Sequence, residues 1–222
     1  MPSTTTDSDG TPPGTGKRRV PLNRGSVVAA GRRVARDEGL SAVTLRRVAA
    51  ELGVTAMALY RHVGDKRELL VAMLDDVAEQ LVLPDGDGPP SDRLVLAFRA
   101  LHDHLTAEPW VVEVLKAGEL FGPRASRFVE HVLALLEEAG LTEEQAADAY
   151  WALWWYTFGH LSYLPALRPE GRPARHELMT RVRMNDHPRL ARMLSRPPRQ
   201  ATAAQDAFVP GLRALLRGLL AD

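Results

Sequence analysis

The side chains best placed to do chemistry lie in residues 45–66, LRRVAAELGVTAMALYRHVGDK, and the chemistry they suit is recognition, not bond making. Leu45, Val48, Ala49 and Leu52 recur at i, i+3, i+4 and i+7, the apolar face of a short helix. Gly53 follows, where a helix C-cap favours positive φ. Thr55 is a good N-cap for a second helix over 56–62. Leu59 is the inward residue of that helix, so Met57, Tyr60 and Arg61 point largely elsewhere. Helix, glycine turn and helix make the unit that lays its second helix in the DNA major groove.

Charge supports a polyanionic partner for this part of the chain. The 222 residues have a formal net charge of zero, yet residues 17–68 hold twelve Lys/Arg against five Asp/Glu. The remainder holds sixteen against twenty-three. A basic N-terminal part on an acidic body predicts that only the first part meets a polyanion. The competing reading has these charges merely solvating helix faces. There is no cysteine, which excludes disulfide and thiolate chemistry and suits a reducing cytoplasm. G-x-S-x-G, P-loop, H-E-x-x-H and G-x-G-x-x-G patterns are all missing, so no enzyme activity and no cofactor are expected. His102, His104, His131 and His160 lack helical metal-site spacing; His102 and His104, two apart, face different ways, and no metal is expected.

These residues need elements to position them. Residues 1–16 lack periodicity and bulky apolar side chains, and with the basic arm Lys17, Arg18 and Arg19 they form an expected disordered tail over 1–20. No basic stretch followed by an apolar run marks a secretory signal. A first helix is predicted over 24–38, burying Val27, Ala30, Gly31 and Val34 and ended by Gly39. Thr44 is placed to cap the helix that follows. Asp65 caps a longer helix over 66–83, with Leu69, Leu70, Met73, Leu74 and Val77 on its apolar side. The domain division is therefore a helix-turn-helix head over 21–66, a connecting helix over 67–84 and a body over 85–222.

The body reads as helical throughout, making the chain all-α. A Pro/Gly-rich loop at 84–90 opens it. Helices are expected over 91–106, with Phe98 on the apolar stripe, and over 109–115, 124–138 and 142–164. Thr142 followed by Gln145 is a capping-box pattern. Residues 169–200 are rich in Pro and Arg and read as a short helix between loops; 201–220 form the last helix, with Pro210 a kink or a start point. Residues 149–167 contain no charged side chain, a length that could span a bilayer. Thr157, His160, Ser162, three tyrosines and a proline argue against that, so no membrane is expected and this helix is buried on several sides.

The span from Leu22 to about Leu83 resembles the DNA-binding domain of the TetR family of bacterial transcriptional regulators, nearest to the tetracycline-repressor branch. The resemblance rests on Ala29–Ala30, Gly39–Leu40, residues 44–54, and above all Ala58-Leu59-Tyr60-Arg61-His62-Val63 followed by Asp65-Lys66-Arg67-Glu68-Leu69-Leu70. It implies base reading by Thr55, Ala56, Met57 and Ala58 at the start of the recognition helix, together with Arg46 from the helix before it. An arginine suits guanine O6 and N7. It implies phosphate contacts at Tyr60, His62 and Lys66, which fix register without reading sequence, and a base or phosphate contact at Arg61; Thr44 joins the expected DNA-binding set. A competing reading packs the Tyr60 ring on the head and leaves only its hydroxyl available.

The resemblance further implies a homodimeric repressor that binds a palindromic double-stranded operator and is released by a small-molecule effector. A helix at 142–164 would lie between a ligand cavity and the partner subunit. Phe98, Trp110, Trp151, Trp154, Trp155 and Phe158 then become the expected ligand-binding set. The alternative, that these aromatics serve only core and dimer contacts, stays open. The contacts that hold a magnesium-bound drug in some tetracycline-repressor relatives find no match here, so tetracycline is not implied. The runner-up function is a helical ligand-binding or partner-binding protein with a non-functional head.

Overall fold

A computed structural model describes residues 21–84, 86–117, 122–164, 186–194 and 201–221. The expected tail and basic arm over 1–20, and most of the expected 169–200 segment, lie outside these residues. Among the described residues every regular element is helical, and no helix is long and apolar enough to cross a membrane.

The head is α1 (Arg24–Glu38), α2 (Leu45–Leu52) and α3 (Ala56–Leu59), with α4 (Lys66–Gln80) leading away. Asn23 and Ser26 form a reciprocal cap at the start of α1. Gly39 ends it at φ 88°. Gly53 closes α2 at φ 68°, a left-handed position that carries little penalty only for glycine. The turn it makes lets Val54 N–H reach back to the Ala49 carbonyl. Val27, Val34, Val48, Leu59, Leu69 and Met73 meet in a dry centre. At Gly31 a Cβ would overlap the Met73 sulfur, so glycine sets how closely α1 approaches α4.

Two of the expected spans are too long. The recognition helix is helical only over Ala56–Leu59, and Tyr60–His62 continue it as a turn. Val63 is buried there, drawing the chain inward before Gly64 and the Asp65 cap redirect it. Helix α4 stops at Gln80 because Leu81 is extended (ψ 112°). The Leu81 carbonyl instead accepts a 2.6 Å hydrogen bond from Arg127.

The body comprises α5 (Pro90–Thr106), α6 (Pro109–Lys116), α7 (Ser126–Glu138), α8 (Glu143–Tyr163), α9 (Pro188–Leu194) and α10 (Ala201–Leu219). Prolines open α5 and α6, where a missing N–H costs nothing. The Thr142/Gln145 capping box forms as expected. Helices α5, α7, α8 and α10 pack together around Phe98, Val132, Leu136, Leu153 and Leu212. Helix α10 begins at Ala201 and runs through Pro210. Beside it the Tyr156 hydroxyl donates to the Phe208 carbonyl, and a Cβ at Gly211 would overlap that hydroxyl.

Head and body are joined by a buried ionic cluster. Arg32 of α1 is 8% exposed and bonds Asp76 of α4 and Glu108, the residue before α6. Glu108, 3% exposed, also accepts from the Trp110 indole N–H and faces Arg36 at 3.8 Å. Burial works against the Arg32 charge, but the hydrogen bonds it donates to Glu108 and Asp76, with their negative charges, outweigh it and hold its pKa above the ordinary arginine value. Arg32 and Glu108 are the members shut off from water, so removing one strands the other. Glu108→Ala is expected to cost about 3–5 kcal/mol in denaturant unfolding, whereas Arg32→Leu combined with Glu108→Leu should cost much less. A single-variant loss under about 1 kcal/mol would show that the guanidinium regains water instead.

Candidate functional site

The head presents its exposed polar residues on α2, α3 and the following turn. Arg46 lies on the exposed side of α2 and pairs with no described residue. Its neighbour Arg47 is tied to Glu38 and Glu51, so only one of the two consecutive arginines is free to reach a ligand. Thr44 caps α2 by accepting from Arg47 N–H at 3.1 Å, which leaves its hydroxyl hydrogen available. Thr55 occupies the N-cap position of α3, yet its side chain makes no capping bond. That differs from the capping role its position suggests and leaves the hydroxyl free to bond elsewhere. Met57 is 73% exposed and Tyr60 53%. The Tyr60 ring is therefore not packed away. Ala56 and Ala58 are half-buried, Arg61 and Lys66 exposed, and His62 half-buried. Lys66 stands in the first turn of α4, behind the Asp65 cap.

The body contains a cavity of about 410 Å³, within the range of small-molecule sites. Leu74, Val77, Ala78 and Leu81 bring α4 into its wall, so the helix that carries the head also touches the cavity. Val111 and Leu115 of α6, Leu101 and Leu105 of α5, and Phe128 of α7 add apolar surface. Helix α8 supplies Tyr150, Trp151, Trp154 and Phe158. Trp154 and Phe158, one turn apart, stack with their rings 5.9 Å apart.

The expected ligand-binding aromatics divide. Trp151, Trp154 and Phe158 line the cavity. Phe98, Trp110 and Trp155 do not. Phe98 is fully buried and packs edge-on against Phe128. Trp110 is turned to Glu108 by its indole N–H. Trp155 is 66% exposed on the outer face of α8. The cause is helical phase: Trp155 is turned about 100° from Trp154, while Trp151 lies at the edge between the cavity face and the outer face, and the buried carboxylate takes Trp110.

Of the polar members of the wall, His104 is one of the four histidines that the sequence offers as candidate anchors, and pattern alone misses the others. His104 lies in the wall and bonds the Val77 carbonyl at 2.8 Å. Arg124, Arg127 and Tyr150 also border it, and burial raises the Tyr150 pKa. His102 faces away from His104, as their spacing requires. Its Nε2 lies 3.0 Å from His160 Nδ1, and its ring stacks on Phe208.

Comparison with known proteins decides the family. Residues 27–73 match the model of bacterial regulatory proteins of the tetR family, and residues 84–222 match the tetracyclin repressor-like C-terminal domain. The chain belongs to the TetR family. It is 33% identical over 175 residues to the HTH-type transcriptional repressor DrrR1 of Streptomyces coeruleorubidus, covering 72% of this chain. The chain spans 63% of that relative's length. A possible TetR family transcriptional regulator from Streptomyces coelicolor A3(2) is 30% identical, with a TM-score of 0.74 over 90% of this chain and 99% of that one. The Streptomyces coelicolor TetR family protein ActR in complex with actinorhodin shares the fold at a TM-score of 0.76 and 24% identity, over 91% of this chain and 98% of that one. The head-then-body order of this TetR family member matches the two family models in sequence.

The His102–His160 pair generates a pH prediction. Burial pushes the His102 pKa below the ordinary histidine value, and His160 adds to this while Asp103 opposes it. The folded chain thus binds its proton less readily than the unfolded chain does. Stability from this group is complete above the unfolded pKa of about 6.5 and is lost as pH falls toward the folded value. Thermal melts are expected to be level above neutrality and to fall as the pH drops below about 6.5, with His102→Gln flattening that slope. An unchanged slope in the variant would assign the acid sensitivity to other groups.

Proposed function

We propose that this TetR family protein is a cytoplasmic, ligand-responsive transcriptional repressor that binds a palindromic operator as a homodimer. The observation that carries the reading is the shared helix α4: it leaves the head at Lys66, and four of its terminal apolar residues, or those just past it, wall the cavity. Occupancy of the cavity and the pose of the head are therefore not independent. An effector that favours one head pose by differential affinity shifts the population between binding and non-binding states.

On DNA, Arg46 pairs with a guanine edge from α2 while Thr55 and the exposed Met57 enter the major groove from α3. Ala56 and Ala58 contribute close methyl contact, and Arg61 a base or phosphate contact. Thr44, Tyr60, His62 and Lys66 engage phosphates and set register. The free Arg46 beside the committed Arg47 supports this division of labour.

The homodimer reading rests on the outer face of α8. Trp151, Trp155 and Tyr163 recur at four- and eight-residue steps, and all are exposed. Gly159 lies between them with open space where a Cβ would stand. A second copy of α8, with α10 beside it, would bury this stripe and form a four-helix contact. A helical ligand-binding protein with an inert head remains the competing reading; the exposed Arg46, Arg61 and Lys66, which pair with no described residue, weigh against it.

Selection of genomic fragments by the purified protein at near-physiological salt tests the proposal. A few fragments sharing one inverted repeat are expected; sequence-blind, salt-sensitive binding alone would sink the repressor reading. On such an operator, Arg46→Ala should lose about 1–3 kcal/mol and relax specificity at one position. Lys66→Ala should weaken all sequences alike and reduce the salt slope by about 1.

A further inference from the structure

The cavity's charge points to a particular class of effector, a conclusion that rests on the reading of this cavity as the effector site. Its wall includes two arginines, Arg124 and Arg127, and the imidazole of His104, but no Asp or Glu among the described residues. The two arginines are not equivalent. Arg124 is already paired with Glu79, and its backbone N–H bonds Asp75. Arg127 pairs with no described carboxylate; one Nη2–H goes to the Leu81 carbonyl at 2.6 Å. Both side chains are exposed at the mouth, while the stacked Trp154 and Phe158 lie in the wall. The Tyr150 hydroxyl, on a largely buried side chain of the wall, also has no described partner. The site therefore combines flat apolar surface with a donor-rich, uncompensated cation at its opening.

We propose that the effector is an aromatic acid whose anionic group binds Arg127 and takes it from the Leu81 carbonyl. A carboxylate accepts two parallel N–H bonds from a guanidinium and brings a full opposite charge, whereas the Leu81 carbonyl is a single neutral acceptor. The exchange also acts on α4. Leu81 is the residue at which α4 ends, and Arg127 of α7 is what pins its carbonyl. Drawing Arg127 into the cavity mouth releases that pin, while the effector's ring presses on Leu74 and Val77 further along the same helix. The ring supplies affinity, and the anion links occupancy to the end of the helix that carries the head.

The test uses the full chain and two matched probe pairs: naphthalene-2-carboxylate with naphthalene-2-carboxamide, and anthracene-2-carboxylate with anthracene-2-carboxamide. Binding is read by quenching of tryptophan fluorescence, since Trp151 and Trp154 border the cavity. For at least one pair the acid is expected to bind about ten- to a hundredfold more tightly than the amide. Arg127→Gln should bring the acid's affinity down to that of the amide and leave the amide unchanged; Arg127→Lys should restore part of the preference. Equal binding of acid and amide by the unaltered protein overturns the acid preference and leaves the cavity reading standing. A preference that survives Arg127→Gln overturns the assignment to Arg127. No quenching by any of the four probes overturns this proposal together with the cavity reading.

Discussion

Arg32 is the point on which head and body depend. It lies on α1, among the apolar residues of the helix-turn-helix unit, yet its partners belong to α4 and to the turn before α6. A guanidinium this deeply buried is tolerated only if its charge is matched and its donors are used. Asp76 and Glu108 do most of this, though its Nε finds no partner. The arrangement is directional in a way that an apolar contact is not. It accepts one registry of α1 against α4 and α6, so a shift of α6 or α4 is felt by α1 as a charge losing its partners.

Glu108 extends the constraint into the body. One carboxylate oxygen serves Arg32 and the other serves the Trp110 indole. The start of α6 is thereby fixed to the head, while Val111 and Leu115, a turn or two later, face the cavity. Helix α4 repeats the pattern, with Asp76 on the ionic cluster and Leu74 and Val77 on the cavity. Two helices thus each touch both the head and the cavity. Cavity and head share α4 and the start of α6, so no long relay separates them.

Helix α8 shows how one element serves three neighbours. Its inner residues Leu153, Thr157 and Leu161 are buried in the body; Trp154 and Phe158 look into the cavity; Trp155 and Tyr163 face outward. Trp151 does two of these at once, half-exposed yet bordering the cavity. Beyond Asp148 this helix carries no charged residue, so its outer face exposes aromatic rings, against the expectation that it is buried on several sides.

The head and the order of helices were legible in the sequence because they rest on local rules. Gly53 needs a left-handed conformation, Asp65 and Thr142 cap their helices, and leucines and valines at helical spacing mark the inward faces. The free surface of α2 and α3 follows from the same periodicity. What the local pattern could not contain was pairing across distance. Arg32 and Arg47 look like any other basic residues of the head until Glu108 and Glu38 are beside them. Trp110 and Phe98 have the composition of a ligand wall, yet a buried carboxylate and Phe128 take them. His104 and Arg127 carry no motif at all, and only the meeting of α4, α5 and α7 places them at the cavity. Sequence by itself determined the helices, their faces and the family, since capping and periodicity act within a few residues. Tertiary structure alone decided which charges are committed, which are free and which aromatics border the cavity, because those depend on partners many residues away.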